Sequence, residues 1–200
     1  MTKPWPARLA NLLLLLALSA LAVAGLAGLL ALMSEVLGAG SWVGAMTDLD
    51  HFCGPVVSVH DGDTLTVRGA VAAVRVRLWG IDAPELAQPY GEASRDALRA
   101  LAPVGVEVCV EVRATDQYGR TVGLVSRPSK DLGSWLLNIR QLEAGLAWHY
   151  AAYTKDTAER PLLSAAHTAA RKARRGLWQD PHPVPPWTWR HAHASEGVTP

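Results

Sequence analysis

The sequence predicts an α+β fold, and three observations support this class. About five short runs with β-strand character come mostly first, three helical segments are interspersed or come last, and 50% of the 200 residues are hydrophobic. Once an apolar N-terminal part is set aside, roughly 130–150 residues remain, enough for one hydrophobic core. A small barrel with packed helices accommodates this order of elements.

The first element, residues 1–34, is predicted to be a transmembrane or signal-anchor segment. Lys3 and Arg8 precede an apolar run over residues 9–33. A spanning helix needs about 20 such residues, whereas the core of a signal peptide has about 7–15. Positive charge ahead of the run places the rest of the chain outside the cytoplasm. We expect a membrane-anchored, extracytoplasmic domain; the alternative is secretion after cleavage near residues 38–40.

Residues 35–52 contain Gly, Ala and Ser with little periodicity and are predicted to be a linker to a domain at 53–180. Within that domain, residues 56–59 and 65–67 are strand-like runs on either side of an Asp-Gly turn, the pattern of a hairpin. Residues 71–79 alternate between apolar side chains and arginines, which indicates a strand with one buried face.

Two further strands are predicted at residues 106–112 and 120–126. Apolar periodicity and terminal glycines predict three helices, at residues 90–101, 134–144 and 161–175. The tail, residues 181–200, is rich in Pro and Trp and shows no helical or strand period. We expect it to wrap over the surface and to be disordered past Arg190.

Carboxylates and arginines concentrate in three short segments, residues 60–64, 77–85 and 116–120. Each segment alone is typical of a turn. Together they offer carboxylates that can hold a hard cation and arginines that can clamp a phosphate. The net charge is only +1, which argues against binding a polyanion through bulk charge. Any contact with nucleic acid must therefore be local, through individual arginines.

The two cysteines, Cys53 and Cys109, leave two possibilities open. Outside the cytoplasm such a pair can form a disulfide. Free cysteine is also among the most buried residue types, so two inert thiols fit equally well.

Taken together, the three charged segments resemble the staphylococcal nuclease (thermonuclease) family in order, residue type and spacing. The resemblance covers about residues 56–178 and includes Asn138, Gln141, Gly145 and Trp178. It implies a five-stranded OB-fold barrel with about three packed helices. It also implies a Ca²⁺-dependent, sugar-nonspecific nuclease that cleaves DNA and RNA and leaves 3′-phosphates. The family's barrel could bring Cys53 close to Cys109, so we expect a disulfide.

The resemblance also implies a role for each matching residue of the metal site. Asp63 and Asp82 would bind Ca²⁺ through their carboxylates, and Ala83 through its backbone carbonyl. Asp61 would orient water bound to the metal, and Thr64 would support the loop.

Glu85 matches the family's general base, and Arg77 and Arg120 match the two arginines that bind the phosphate. The residues that match the nucleotide pocket are Tyr118, Tyr150 and Tyr153.

The sequence departs from the family pattern in two places. Only residues 86–89 separate Glu85 from the first helix, where the staphylococcal enzyme has a long lysine-rich loop, and Gln117 replaces its turn lysine. Both changes remove positive charge near the substrate. Two other classes remain as alternatives: a non-catalytic nucleic-acid-binding module and a protein-interaction domain that uses the Trp/Pro tail. We infer no protein partner and expect a monomer.

Overall fold

The computed structural model describes residues 50–129 and 133–194. The strands are β1 (His51–Val59), β2 (Thr64–Arg68), β3 (Ala73–Leu78), β4 (Ile81–Asp82), β5 (Glu107–Thr115), β6 (Thr121–Ser129), β7 (Gly133–Leu136) and β8 (Trp148–His149). The α-helices are α1 (Gly91–Leu101), α2 (Leu137–Glu143), α3 (Arg160–Lys172) and α4 (Pro186–His193). Two 3₁₀ turns, Ala151–Thr154 and Gly176–Gln179, complete the described elements.

Five of the strands form a closed barrel. The main sheet has the order β3-β2-β1-β5-β6-β7, and β3 also pairs with β6 in parallel, with Val76 opposite Thr121. This extra pairing closes β1, β2, β3, β6 and β5 on themselves, which removes exposed sheet edges. The prediction of a five-stranded barrel with packed helices is therefore confirmed.

The barrel interior is built by strand alternation. Leu65 and Val67 of β2 and Val76 and Leu78 of β3 are fully buried, whereas Arg77 between the last two is only partly buried. Burial of each such aliphatic side chain contributes about 1.5–3 kcal/mol. Because successive side chains of a strand face opposite ways, the outward positions next to this core are free to carry charge.

Two buried polar residues of α2 connect the helices to the barrel. The Asn138 side chain accepts a hydrogen bond from the Val125 amide (3.0 Å) and donates one to the Trp79 carbonyl (2.8 Å). Gln141 donates to the carbonyls of Gly62 (2.6 Å) and Ser94 (2.9 Å). Gln141 thereby holds the acidic turn between β1 and β2 against α1 and α2.

Cys53 of β1 lies directly opposite Cys109 of β5, and their sulfur atoms are bonded (S–S 2.04 Å). The bond joins neighbouring barrel strands on a face where Cys53 is exposed and Cys109 is half-buried.

The structure corrects two elements expected from the sequence. The segment 134–144, predicted as one helix, begins with strand β7, because Ser134, Trp135 and Leu136 pair with β6. The tail, predicted to lack regular structure and to be disordered past Arg190, contains α4. Proline is tolerated in the first turn of a helix, where its missing N–H is not needed, so Pro186 begins α4 rather than preventing it.

The termini differ from the predicted layout in one further respect. Strand β1 begins at His51, inside the segment expected to be a linker. No helix within residues 50–129 and 133–194 is long and apolar enough to cross a membrane. The predicted anchor, residues 1–34, and most of the linker lie outside the described residues.

Candidate active site

Arg77 joins two buried aspartates at one end of the barrel. Its guanidinium lies 3.2 Å from Asp63 Oδ1 and 2.5 Å from Asp82 Oδ1. The β2–β3 register places Arg77 opposite Thr64, next to the acidic turn, and β4 carries Asp82 back to the same place. Asp63 and Asp82 are only 2% and 1% exposed. The barrel thus brings together three site residues that the sequence singled out.

Hydrogen bonds from neighbouring groups orient the Asp63 carboxylate. Its Oδ1 accepts from the Thr64 hydroxyl (2.9 Å), and its Oδ2 accepts from the Ala83 amide (2.8 Å). The Asp61 carboxylate accepts from the Asp63 amide (2.9 Å), which stabilises the turn. Thr64 and Asp61 therefore both contact Asp63, and a role for Asp61 in orienting metal-bound water stays a prediction. The contact seen for Ala83 uses its amide, and a metal role for its carbonyl stays a prediction.

Burial disfavours the charged form of the Asp63 carboxylate. It raises the pKa of Asp63 to about 7; Arg77 opposes this rise, and the charges of Asp61 and Asp82 add to it. The pKa of Arg77 is raised, first by Asp63 and then by Asp82, against the effect of its own burial. Clustered carboxylate oxygens that favour neutralisation are the donor set that Ca²⁺ takes in proteins. The residues present therefore fit this ion.

A residue that the sequence did not indicate completes the cluster. Arg190 of α4 places one guanidinium nitrogen 2.6 Å from Glu85 Oε1 and the other 2.7 Å from Asp82 Oδ2. Burial lowers the pKa of Arg190, but hydrogen bonds and charges from Asp82 and Glu85 outweigh it, so the net change is upward. Only proximity in space connects these groups, which lie more than 100 residues apart in the chain.

Comparison with known proteins decides the family. Residues 75–180 match the family described as "Staphylococcal nuclease homologue". A protein of Escherichia coli O157:H7 named "Uncharacterized endonuclease" is 42% identical over 158 residues, which covers 78% of this chain and 94% of the relative. A "Micrococcal nuclease" of Shigella flexneri is 40% identical over 145 residues, 70% of this chain and 82% of the relative. The chain belongs to the staphylococcal nuclease family.

The second arginine predicted for this nuclease domain is engaged elsewhere. Arg120 pairs with Asp116 (2.7 Å), and its guanidinium lies 5.4 Å from the ring centre of Tyr118. The β3–β6 register places Arg77 opposite Val122, so Arg120, two residues before Val122, belongs to the same barrel face as Arg77. No contact in the described part of the chain joins Arg120 to the carboxylates of the site.

Asp116 keeps Arg120 in place through several bonds. Burial raises the pKa of Asp116, but hydrogen bonds from the Arg120 amide and guanidinium and from the Tyr118 amide lower it more, so the net pKa is lowered. A role for Arg120 at the phosphate would require its side chain to leave this partner.

The three predicted nucleotide-pocket tyrosines have different surroundings. Tyr118 and Tyr153 are 75% and 66% exposed. Tyr150 is half-buried, contacts Tyr153 with ring centres 4.8 Å apart, and stacks on Trp187 of α4 at 5.4 Å. Two of these rings are therefore open to a ligand, whereas Trp187 covers one face of Tyr150.

Proposed function

We propose that this protein is a Ca²⁺-dependent nuclease that hydrolyses phosphodiester bonds of DNA and RNA. The observation that carries the proposal is the buried Asp63–Arg77–Asp82 cluster with Glu85 at its edge, on the barrel of a nuclease family. A site with both hard-cation ligands and a phosphate-binding guanidinium suits this reaction.

The metal would be held by the carboxylates of Asp63 and Asp82 and by the carbonyl of Ala83. When bound, Ca²⁺ supplies charge neutralisation and polarisation of the phosphate. The hydrogen bonds from Thr64 and from the Ala83 amide orient the Asp63 carboxylate before any ion arrives. This preorganisation lowers the cost of assembling the site.

The remaining groups act on water and substrate. Glu85 accepts a proton from the attacking water, and its side chain keeps access to solvent at 28% exposure. Arg77 offers phosphate a planar guanidinium with parallel donors. Water gives one proton to Glu85 and adds its oxygen to phosphorus while the bond to the 5′-oxygen breaks, and that oxygen takes up a proton from solvent. The products are a 3′-phosphate and a 5′-hydroxyl.

The direct test uses the full-length chain, purified in detergent, with labelled single-stranded DNA or RNA. We expect cleavage with Ca²⁺, none with a chelator, and 3′-phosphate ends. Glu85→Gln should reduce the rate by about 10²-fold or more, while Glu92→Gln, on the exposed surface of α1, should not. Binding without Ca²⁺-dependent cleavage would contradict the proposal and favour a non-catalytic nucleic-acid-binding module.

We also propose that the nuclease domain lies outside the cytoplasm, as a monomer on an N-terminal membrane anchor. The Cys53–Cys109 bond supports this location, because disulfides persist in oxidising compartments. Mass spectrometry of the mature N-terminus distinguishes a retained anchor from cleavage near residues 38–40. Resistance of the domain to protease added to spheroplasts, combined with sensitivity after lysis, would count against a location outside the cytoplasm.

A further inference from the structure

Helix α4 is anchored beside the segment that follows Glu85, residues 86–89, by contacts that do not involve the charged cluster. The Gln88 side chain donates to the Val184 carbonyl (2.5 Å), just before the helix. Trp187 packs against Trp148, with ring centres 5.6 Å apart, and stacks on Tyr150. Aromatic pairs of this kind add about 0.5–1.5 kcal/mol beyond the burial of their area. Because α4 is packed in this way, the position of Arg190 is set by the fold.

Arg190 is the only side chain seen to hold the Glu85 carboxylate within residues 50–129 and 133–194. The Glu85 amide is bonded to Gln88, but the carboxylate itself bonds, among these described residues, to Arg190 alone. The same guanidinium reaches both oxygens of Asp82, at 2.7 and 3.3 Å. A planar fork that bonds two carboxylates at once fixes the distance and the angle between them.

The charges around Glu85 explain why its carboxylate needs the contact with Arg190. Arg77 contacts both Asp63 and Asp82, and its single positive charge offsets only one of their two negative charges. Glu85 adds a further negative charge next to Asp82. Like charges at close range repel, and a flexible glutamate would turn toward water. Arg190 offsets this repulsion and keeps Glu85 beside the aspartate.

We propose that Arg190 is a positioning residue that holds the general base Glu85 in register with the metal-binding Asp82. This inference rests on the proposed nuclease function. With this role for Arg190, the active site includes α4, which lies beyond the last residue matched to the family, residue 180. Loss of Arg190 releases Glu85, so the rate of bond cleavage falls, whereas binding of substrate through Arg77 and the metal is retained.

The alternative is that Arg190 blocks metal binding, because it bonds carboxylate oxygens that an ion would also use. Both roles predict tighter Ca²⁺ binding when the competing guanidinium is removed. They differ in the sign of the change in kcat: removal of a positioning residue lowers kcat, and removal of a block raises it.

The experiment compares full-length wild type with Arg190→Ala, Arg190→Lys and the control His191→Ala, an exposed neighbour on α4. We expect kcat to fall about 10²-fold in Arg190→Ala, in line with loss of one preorganised group, with KM changed less than about threefold. Arg190→Lys should recover part of the rate, because it restores the charge without the fork. His191→Ala should match wild type.

A second readout, calorimetric titration with Ca²⁺ without nucleic acid, does not depend on activity. We expect a lower Kd in Arg190→Ala than in wild type, while circular dichroism verifies folding.

If Arg190→Ala does not fold, the Arg190→Lys variant carries the test: a kcat equal to wild type would contradict the proposal. An unchanged or raised kcat in a folded Arg190→Ala overturns it, as does an unchanged Ca²⁺ affinity. A wild type that binds Ca²⁺ but does not cleave overturns the nuclease function itself and, with it, this role.

Discussion

Replacement of both cysteines by alanine should lower the stability of the barrel by about 4 kcal/mol. The disulfide joins β1 to β5 and closes a loop with a sequence separation of 56 residues. In the chain-entropy model, a closed loop of this length removes about 14 cal/mol/K from the unfolded chain, which is about 4 kcal/mol at 25 °C.

Other contributions to this change are small. Cys53 is exposed and Cys109 is only half-buried, so the alanines remove little buried apolar area. The backbone pairing of β1 with β5 does not depend on the sulfur atoms. For a domain of this size, 4 kcal/mol corresponds to a decrease in Tm of about 8–16 °C. Cleavage activity at 25 °C should be retained, because the carboxylates of the site do not contact either cysteine.

Urea unfolding followed by circular dichroism measures this free energy directly. Wild type in reductant should approach the Cys53→Ala/Cys109→Ala variant, and the variant should not respond to reductant. A difference of less than about 1 kcal/mol between oxidised wild type and the variant would refute the loop-entropy reasoning.

Three further predictions concern the core, acid stability and the acidic turn. Asn138→Ala should lower the free energy of unfolding by about 3 kcal/mol in urea, because the buried backbone groups that bond the Asn138 side chain lose their partner. A decrease under about 1 kcal/mol would contradict this. Burial and then the charge of Arg171 lower the pKa of His167 to about 4. Below pH 6.5 the unfolded chain therefore binds more protons than the folded chain. The free energy of unfolding should keep its full value above that pH and fall by up to about 3 kcal/mol as the pH drops to 4. His167→Gln should show a smaller fall in a pH series of melting curves, and an identical fall would exclude this histidine as the cause. A Cβ at Gly62 would lie 1.8 Å from Ser94 Oγ. Gly62→Ala should therefore displace the turn, lower the stability by about 1–3 kcal/mol in thermal melts and slow cleavage. Stability and cleavage rate equal to wild type would show that the turn tolerates the methyl group.

Local patterns were sufficient to predict most of the barrel. Alternation of apolar and polar residues predicted β3, because its even-numbered side chains from Val74 to Leu78 face the interior. The grouping of Asp63, Arg77 and Asp82 was implied by the resemblance to the family, and the structure places these residues beside consecutive strands of the chain. Helix α4 was missed, since the Pro- and Trp-rich tail shows no helical period, although Pro186 is compatible with the first turn of a helix.

The arginines show where local patterns fail. The resemblance to the family assigned Arg120 to the phosphate, and in the structure it bonds Asp116, four residues away; its role at the phosphate stays a prediction. Arg190 was placed at the end of an irregular tail on the surface, yet it bonds Glu85 across 105 residues. Periodicity reports which way a side chain faces on its own element, but it carries no information on which distant element packs against that face.

Local periodicity and the order of short motifs are sufficient to establish the α+β class, the family and the residue types of the site. Which cation contacts which carboxylate depends on the packing of distant elements. Ion pairs form only within a few ångströms, and that proximity is created by closure of β3 on β6 and by the packing of α4 against Trp148 and Tyr150. For this reason Arg190, and not Arg120, contacts Asp82 and Glu85 at the candidate active site.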